Sequence, residues 1–174
     1  YAFDLSGDGR FAVFMTSANN LVSGDTNGSM DVFVKNLETG EISRVSTSSE
    51  GGQANTGTFS PALSANGEFV VFTSGATNLG PQDSNIFSDI YIKNIATGEV
   101  QLVSVAANGT QANADSVETS VSADGRFVLF SSSASNLVAG DSGSGFDVFL
   151  KDTQTGELHL ISQSTSGTPA NGTS

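Results

Sequence analysis

The stretch GDTNGSMDVFVKNLETGE, residues 24–41, decides the fold because the chain contains it three times. It returns as QDSNIFSDIYIKNIATGE at residues 82–99 and as GDSGSGFDVFLKDTQTGE at residues 140–157. The copies start at 24, 82 and 140, a spacing of 58, and three such periods fill all 174 residues. A period of this size marks a repeat architecture, in which a unit unable to bury its own apolar face stacks on its neighbours. The units are residues 1–58, 59–116 and 117–174.

Outward from that stretch, each unit divides into four short strands. The first ends in a tight turn, Gly7-Asp8-Gly9, Ala65-Asn66-Gly67 or Ala123-Asp124-Gly125. Asp-Gly and Asn-Gly between apolar runs favour a hairpin, because both turn residues tolerate positive φ. The second strand, FAVFM, FVVFT or FVLFS from Phe11, Phe69 and Phe127, is apolar at both alternating sets. Such a strand must be covered on both faces, and in a stack of sheets the covers are the neighbouring units. The third strand, Val32-Phe33-Val34, Ile90-Tyr91-Ile92 or Val148-Phe149-Leu150, behaves alike and runs to a second tight turn before Gly40, Gly98 or Gly156. The fourth, from Ile42, Val100 or Leu158, is more polar and fits the outer edge of a sheet. Four short strands in an antiparallel meander make a propeller blade, so the fold class is all-β, with three blades per chain. Successive connections in a meander alternate between its two ends. The two tight turns share one face, and the long segments 17–30 and 47–58 share the other, where a functional surface belongs.

Composition narrows the function. Eighteen acidic residues against six basic ones give a formal charge of −12, which disfavours nucleic acid and anionic membrane surfaces. No apolar run is long enough to span a membrane, and the absence of cysteine removes disulfides and thiolate metal sites. The chain starts at Tyr1 without Met or a signal peptide, as a processed or excised segment would. Catalysis has little support: His159 is the sole histidine, on an outer strand, and no G-x-S-x-G elbow occurs.

The acidic loop before the third strand carries Asp25, Asn27 and Asp31 in the first unit and Asp83, Asn85 and Asp89 in the second. The third has Asp141 and Asp147, with Gly143 where the others have Asn. Oxygen side chains at i, i+2 and i+6 of a Gly-rich loop suit a hard cation such as Ca²⁺. An Asp before a strand also serves as an Asx cap that accepts backbone N–H bonds, and both readings stand. Asn20, Asn78 and Asn136 recur on the same face, as do Asn55, Asn113 and Asn171, as loop clamps or ligand contacts. Asp8, Asn66 and Asp124 are turn residues. Lys35, Lys93 and Lys151 recur as solvated or paired surface lysines.

The segments SGDGRFAVF…DVFVKNLETGE, SANGEFVVF…DIYIKNIATGE and SADGRFVLF…DVFLKDTQTGE together resemble the WD40-like propeller repeats of the TolB type. The insert from Ala18 to Asp31 resembles a secreted bacterial subgroup. The resemblance implies a propeller, usually a non-catalytic binding or scaffolding module, without naming a ligand. Propellers close with about 4–8 blades, so three blades require a second chain or a longer tandem array to complete a ring. The expectation is a secreted or extracellular structural, assembly or adhesion protein, stabilised by Ca²⁺ and joined to copies of itself in a ring or fibre. Periplasmic location is the alternative. A TolB-like module that binds a protein, peptide or glycan on the long-loop face, or an accessory propeller of a larger hydrolase, is the alternative function.

Overall fold

The computed structural model describes residues 2–80, 83–141, 145–170 and 172. Blade 1 is built from β1 (Phe3–Leu5), β2 (Phe11–Thr16), β3 (Asp31–Asn36) and β4 (Ile42–Arg44). Blade 2 holds β5 (Thr58–Leu63), β6 (Phe69–Ser74), β7 (Asp89–Asn94) and β8 (Val100–Leu102). Blade 3 holds β9 (Ser116–Val121), β10 (Phe127–Ser132), β11 (Asp147–Asp152) and β12 (Leu158–Leu160). Each blade is a four-stranded antiparallel sheet whose strands pair in chain order. No helix occurs among the described residues.

The registers repeat with the sequence. Phe14 pairs with Phe33, Phe72 with Tyr91 and Phe130 with Phe149, and the rings of each pair stack at 5.9, 5.9 and 5.7 Å. Side chains alternate across a strand, so each central strand presents one apolar set to the blade before it and the other to the blade after it. The core therefore lies between blades. One cluster joins Val13, Val32 and Val34 of blade 1 to Leu63, Val70 and Phe72 of blade 2. The other joins Val71, Ile90 and Ile92 of blade 2 to Val128, Phe130 and Phe149 of blade 3. Phe14, which occupies the position of Phe72 and Phe130, lies on the outer face of blade 1 and is only half-buried.

The tight turns serve this stacking. Gly67 has φ 73° and Gly125 φ 77°, in the left-handed region that side chains rarely enter. They also admit the preceding blade: a Cβ on Gly67 would stand 2.8 Å from the Phe11 ring, and one on Gly125 only 2.3 Å from the Phe69 ring. Glycine is required there twice over, by dihedral and by contact. Backbone bonds lace the same turns, from Gly7 N–H to the Ala65 carbonyl and from Asn66 N–H to the Ala123 carbonyl.

Lys93 and Lys151 depart from the expectation of surface lysines. Both are buried, because each crosses to the preceding blade and donates to its backbone carbonyls. Lys35, on blade 1, is exposed.

Candidate functional site

The two long connections of each blade meet on one face and build a polar cradle there. Asp31 opens β3 and is fully buried. Its Oδ1 accepts from the Ser46 hydroxyl, which itself accepts from Val32 N–H. Its Oδ2 accepts from Gln53 Nε2 at 3.1 Å, and the same nitrogen donates to Asp25 Oδ1 at 2.9 Å. One amide thus bridges two carboxylates. The amide cannot turn over without loss, because Gln53 Oε1 accepts from the N–H and hydroxyl of Thr26. An NH₂ donor therefore occupies the point where a cation bridging Asp25 and Asp31 would sit.

Blade 2 repeats the bridge. Gln111 Nε2 donates to Asp83 Oδ1 at 2.9 Å and to Asp89 Oδ2 at 2.8 Å, while its Oε1 accepts from Ser84. Ser104 holds the other oxygen of Asp89. Burial pushes the Asp89 carboxyl up to about 6, against the Ser104 and Gln111 hydrogen bonds and with help from Asp83 and Asp115.

The blades differ in what completes the charge balance. In blade 1 the Arg44 guanidinium lies 3.4 Å from Asp25 Oδ1 and donates to the Gly24 carbonyl. Arg44 Nε and Nη1 find no hydrogen-bond acceptor, so this buried cation is held mainly by charge. In blade 2 Leu102 stands in the arginine's place, and the Tyr91 hydroxyl donates to Asp83 Oδ2 at 2.6 Å. Burial, and then that hydrogen bond, raise the Tyr91 phenol above its ordinary range. Blade 3 has Leu160, Phe149 and Pro169 where the others place Arg44, Tyr91 and Gln53 or Gln111. Asp147 keeps its serine, Ser162, and Asp141 is also buried; residues 142–144, including Gly143, lie outside the described residues.

The asparagines divide into two groups. Asn27 and Asn85 turn away from the carboxylates and brace their loops: Nδ2 donates to the Ala54 or Ala112 carbonyl, and Oδ1 accepts from Ser29 or Phe87 N–H. Asn55 and Asn78 tie successive repeats together: Asn55 N–H donates to Asn78 Oδ1, and Asn78 Nδ2 donates to the Gln53 carbonyl. Asn113 and Asn136 do the same one repeat later. Asn20 is exposed on blade 1, and Asn171 lies outside the described residues. Gln53 and Gln111 complete the cradle, and neither is among the residues that loop spacing singles out. Their signal was the recurrence of Gln-Ala-Asn at 53–55 and 111–113. Among the described residues, no group of three or more His, Cys, Asp or Glu side chains is placed to hold a metal ion.

This fold of three interlocked meanders is that of TolB-like β-propeller blades. The chain aligns with TolB from Acinetobacter baumannii at TM-score 0.57 and 15% identity, over 97% of this chain and 33% of that one. It aligns with oligogalacturonate lyase in complex with manganese at TM-score 0.56 and 12% identity, over 93% and 41%. The β-propeller domain of the Trilobed protease from Pyrococcus furiosus gives TM-score 0.52 and 13% identity, over 91% and 40%. The chain thus spans about a third to two fifths of the length of these proteins. Identities this low establish the fold alone. No protein-family model and no curated protein matches the sequence.

Proposed function

We propose that the chain is a non-catalytic, extracellular β-propeller repeat protein whose role is assembly through its two end blades. One observation carries this reading: the residues that seal the inner seams are repeated, uncovered, at the ends. Leu63 is 5% exposed between blades 1 and 2, whereas Leu5, in its place on blade 1, is 53% exposed. Val71 is 0% exposed between blades 2 and 3, whereas Leu129, its counterpart on blade 3, is 38% exposed. Paired apolar faces of this kind mark interaction surfaces. Sedimentation of the whole chain over a range of concentrations tests the reading. Species heavier than 17.7 kDa that grow with concentration support it, and a single 17.7 kDa species throughout overturns it.

The acid crowding around Asp89 favours a second reading, Ca²⁺ held by the long loops. Burial raises Asp89 most, and the nearby Asp83 and Asp115 add to it; an ion there relieves that added repulsion, but it must displace the Gln111 amide from between Asp83 and Asp89. Calorimetric titration of Ca²⁺ into chelator-treated protein separates the cases. Heat with a rise in melting temperature supports the ion, and neither effect removes it.

A further inference from the structure

Two contacts define each seam inside the chain, and both are left half-made at its ends. The first is a lysine seat. Lys93 Nζ, on blade 2, donates to the Thr47 carbonyl at 2.8 Å, to Thr47 Oγ1 at 2.6 Å and to the Ser48 carbonyl at 3.2 Å, all on blade 1. Lys151, on blade 3, donates to the Val105 carbonyl of blade 2 at 2.9 Å. The accepting turn is the same in every blade: Ser48, Ala106 and Ser164 N–H groups each bond across it at 2.8 Å, to Gly52, Thr110 and Thr168. In blade 3 this turn, at Gln163 and Ser164, is formed and exposed, with no lysine in it. Lys35 is the matching lysine at the other end of the chain, exposed on the outer face of blade 1.

The second contact is a phenylalanine over a turn glycine. Phe11 covers Gly67 and Phe69 covers Gly125, each from the preceding blade. Phe127 occupies their position on blade 3, 38% exposed and flanked by its own Arg126, whose guanidinium lies 4.8 Å from the ring centre. Gly9 is the matching glycine, at φ 73°, with nothing within 4 Å of a Cβ there. The polarity of the two contacts agrees. In both inner seams the earlier blade supplies the phenylalanine and the carbonyl turn, and the later blade supplies the glycine and the lysine. Blade 3 retains the first pair unused, and blade 1 the second.

We propose that blade 3 of one chain seats on blade 1 of a second copy, head to tail, with Lys35 of that copy entering the Gln163–Ser164 turn and Phe127 covering its Gly9. The seating rests on the assembly reading and names its contacts. The acceptors are already oriented by their own turn, which offsets part of the cost of taking the ammonium out of water. The interface is heterologous, so it propagates or closes a ring instead of stopping at a two-fold pair of like faces.

The test uses the chain's three lysines, Lys35, Lys93 and Lys151, which are all it has. Amine acylation of the whole chain is read by mass spectrometry at low and high concentration, with sedimentation run in parallel. In dilute protein Lys35 reacts while Lys93 and Lys151 are protected; in the assembled species Lys35 joins the protected pair. Lys35→Ala and, separately, Phe127→Ala each weaken self-association about tenfold or more with the circular dichroism spectrum unchanged. Assembly in which Lys35 stays reactive, or a Lys35→Ala chain that assembles like the parent, overturns this seating and leaves the assembly reading intact. Absence of any species above 17.7 kDa overturns both.

Discussion

Lys93 and Lys35 occupy the same position of the same strand, 58 residues apart, and live in opposite surroundings. Lys93 is buried at a seam with three oxygen acceptors; Lys35 lies on an open face. The local sequences are close copies, VFVKN and IYIKN, so the difference comes from the neighbour and not from the strand. In a repeat protein, stability is roughly a sum of unit and nearest-neighbour terms, and seam residues acquire their energetic weight only when a neighbour is present. The same holds for Phe72 and Phe14, and for Leu63 and Leu5.

Substitutions at matched positions should expose that contrast. The largest effect is expected at Phe72→Ala, which opens a cavity in the first seam and costs about 3–5 kcal/mol by urea unfolding. Phe14→Ala, on the uncovered face, costs well under half as much in dilute protein. Lys93→Ala strands buried carbonyls and costs about 1–3 kcal/mol, whereas Lys35→Ala stays within about 0.5 kcal/mol in dilute protein. Equal losses at the two lysines break the comparison.

Gln111→Ala follows. It removes the donor between half-buried Asp83 and fully buried Asp89 and leaves an acceptor on each short of a partner, a loss of about 1–3 kcal/mol. Its effect grows as pH rises through about 6 and the Asp89 carboxyl ionises.

A pH slope gives a further check. Folding raises Asp89 from 3.8 to about 6, so the fold favours its protonated form. Its contribution is fully present below pH 3.8 and is lost as pH rises through about 6. Relative to Asp89→Asn, the parent chain should therefore lose stability across that window and run parallel to it above. A constant difference between the two melting curves from pH 3.8 to 6 contradicts the raised carboxyl.

Much of the fold was legible because its signals are local and threefold. The doubly apolar strands from Phe11, Phe69 and Phe127, the Asp-Gly and Asn-Gly turns, and the unequal loops specify meanders stacked face to face. What escaped depends on contacts between units. A lysine after an apolar triplet looks solvated until the preceding blade's turn comes within 2.8 Å of its Nζ. Glutamine is a common loop residue, and only the meeting of two connections turns Gln53 and Gln111 into bridges between carboxylates. Asn27 and Asn85 were grouped with the acidic side chains by spacing, yet the loop aims their amides at the Ala54 and Ala112 carbonyls. Spacing gives proximity along the chain, and side-chain direction is set by the fold.

The claim that the two end faces complement each other is tested most directly by mixing two damaged chains. Leu5→Glu spoils the outer face of blade 1, and Leu129→Glu spoils that of blade 3; both leucines are exposed in the single chain, so folding is spared. Each variant alone is expected to sediment at 17.7 kDa, because every head-to-tail contact contains one charged face. The mixture retains one intact pair of faces and should give a species of twice that mass. A mixture that stays at 17.7 kDa, or a single variant that assembles like the parent chain, contradicts the account.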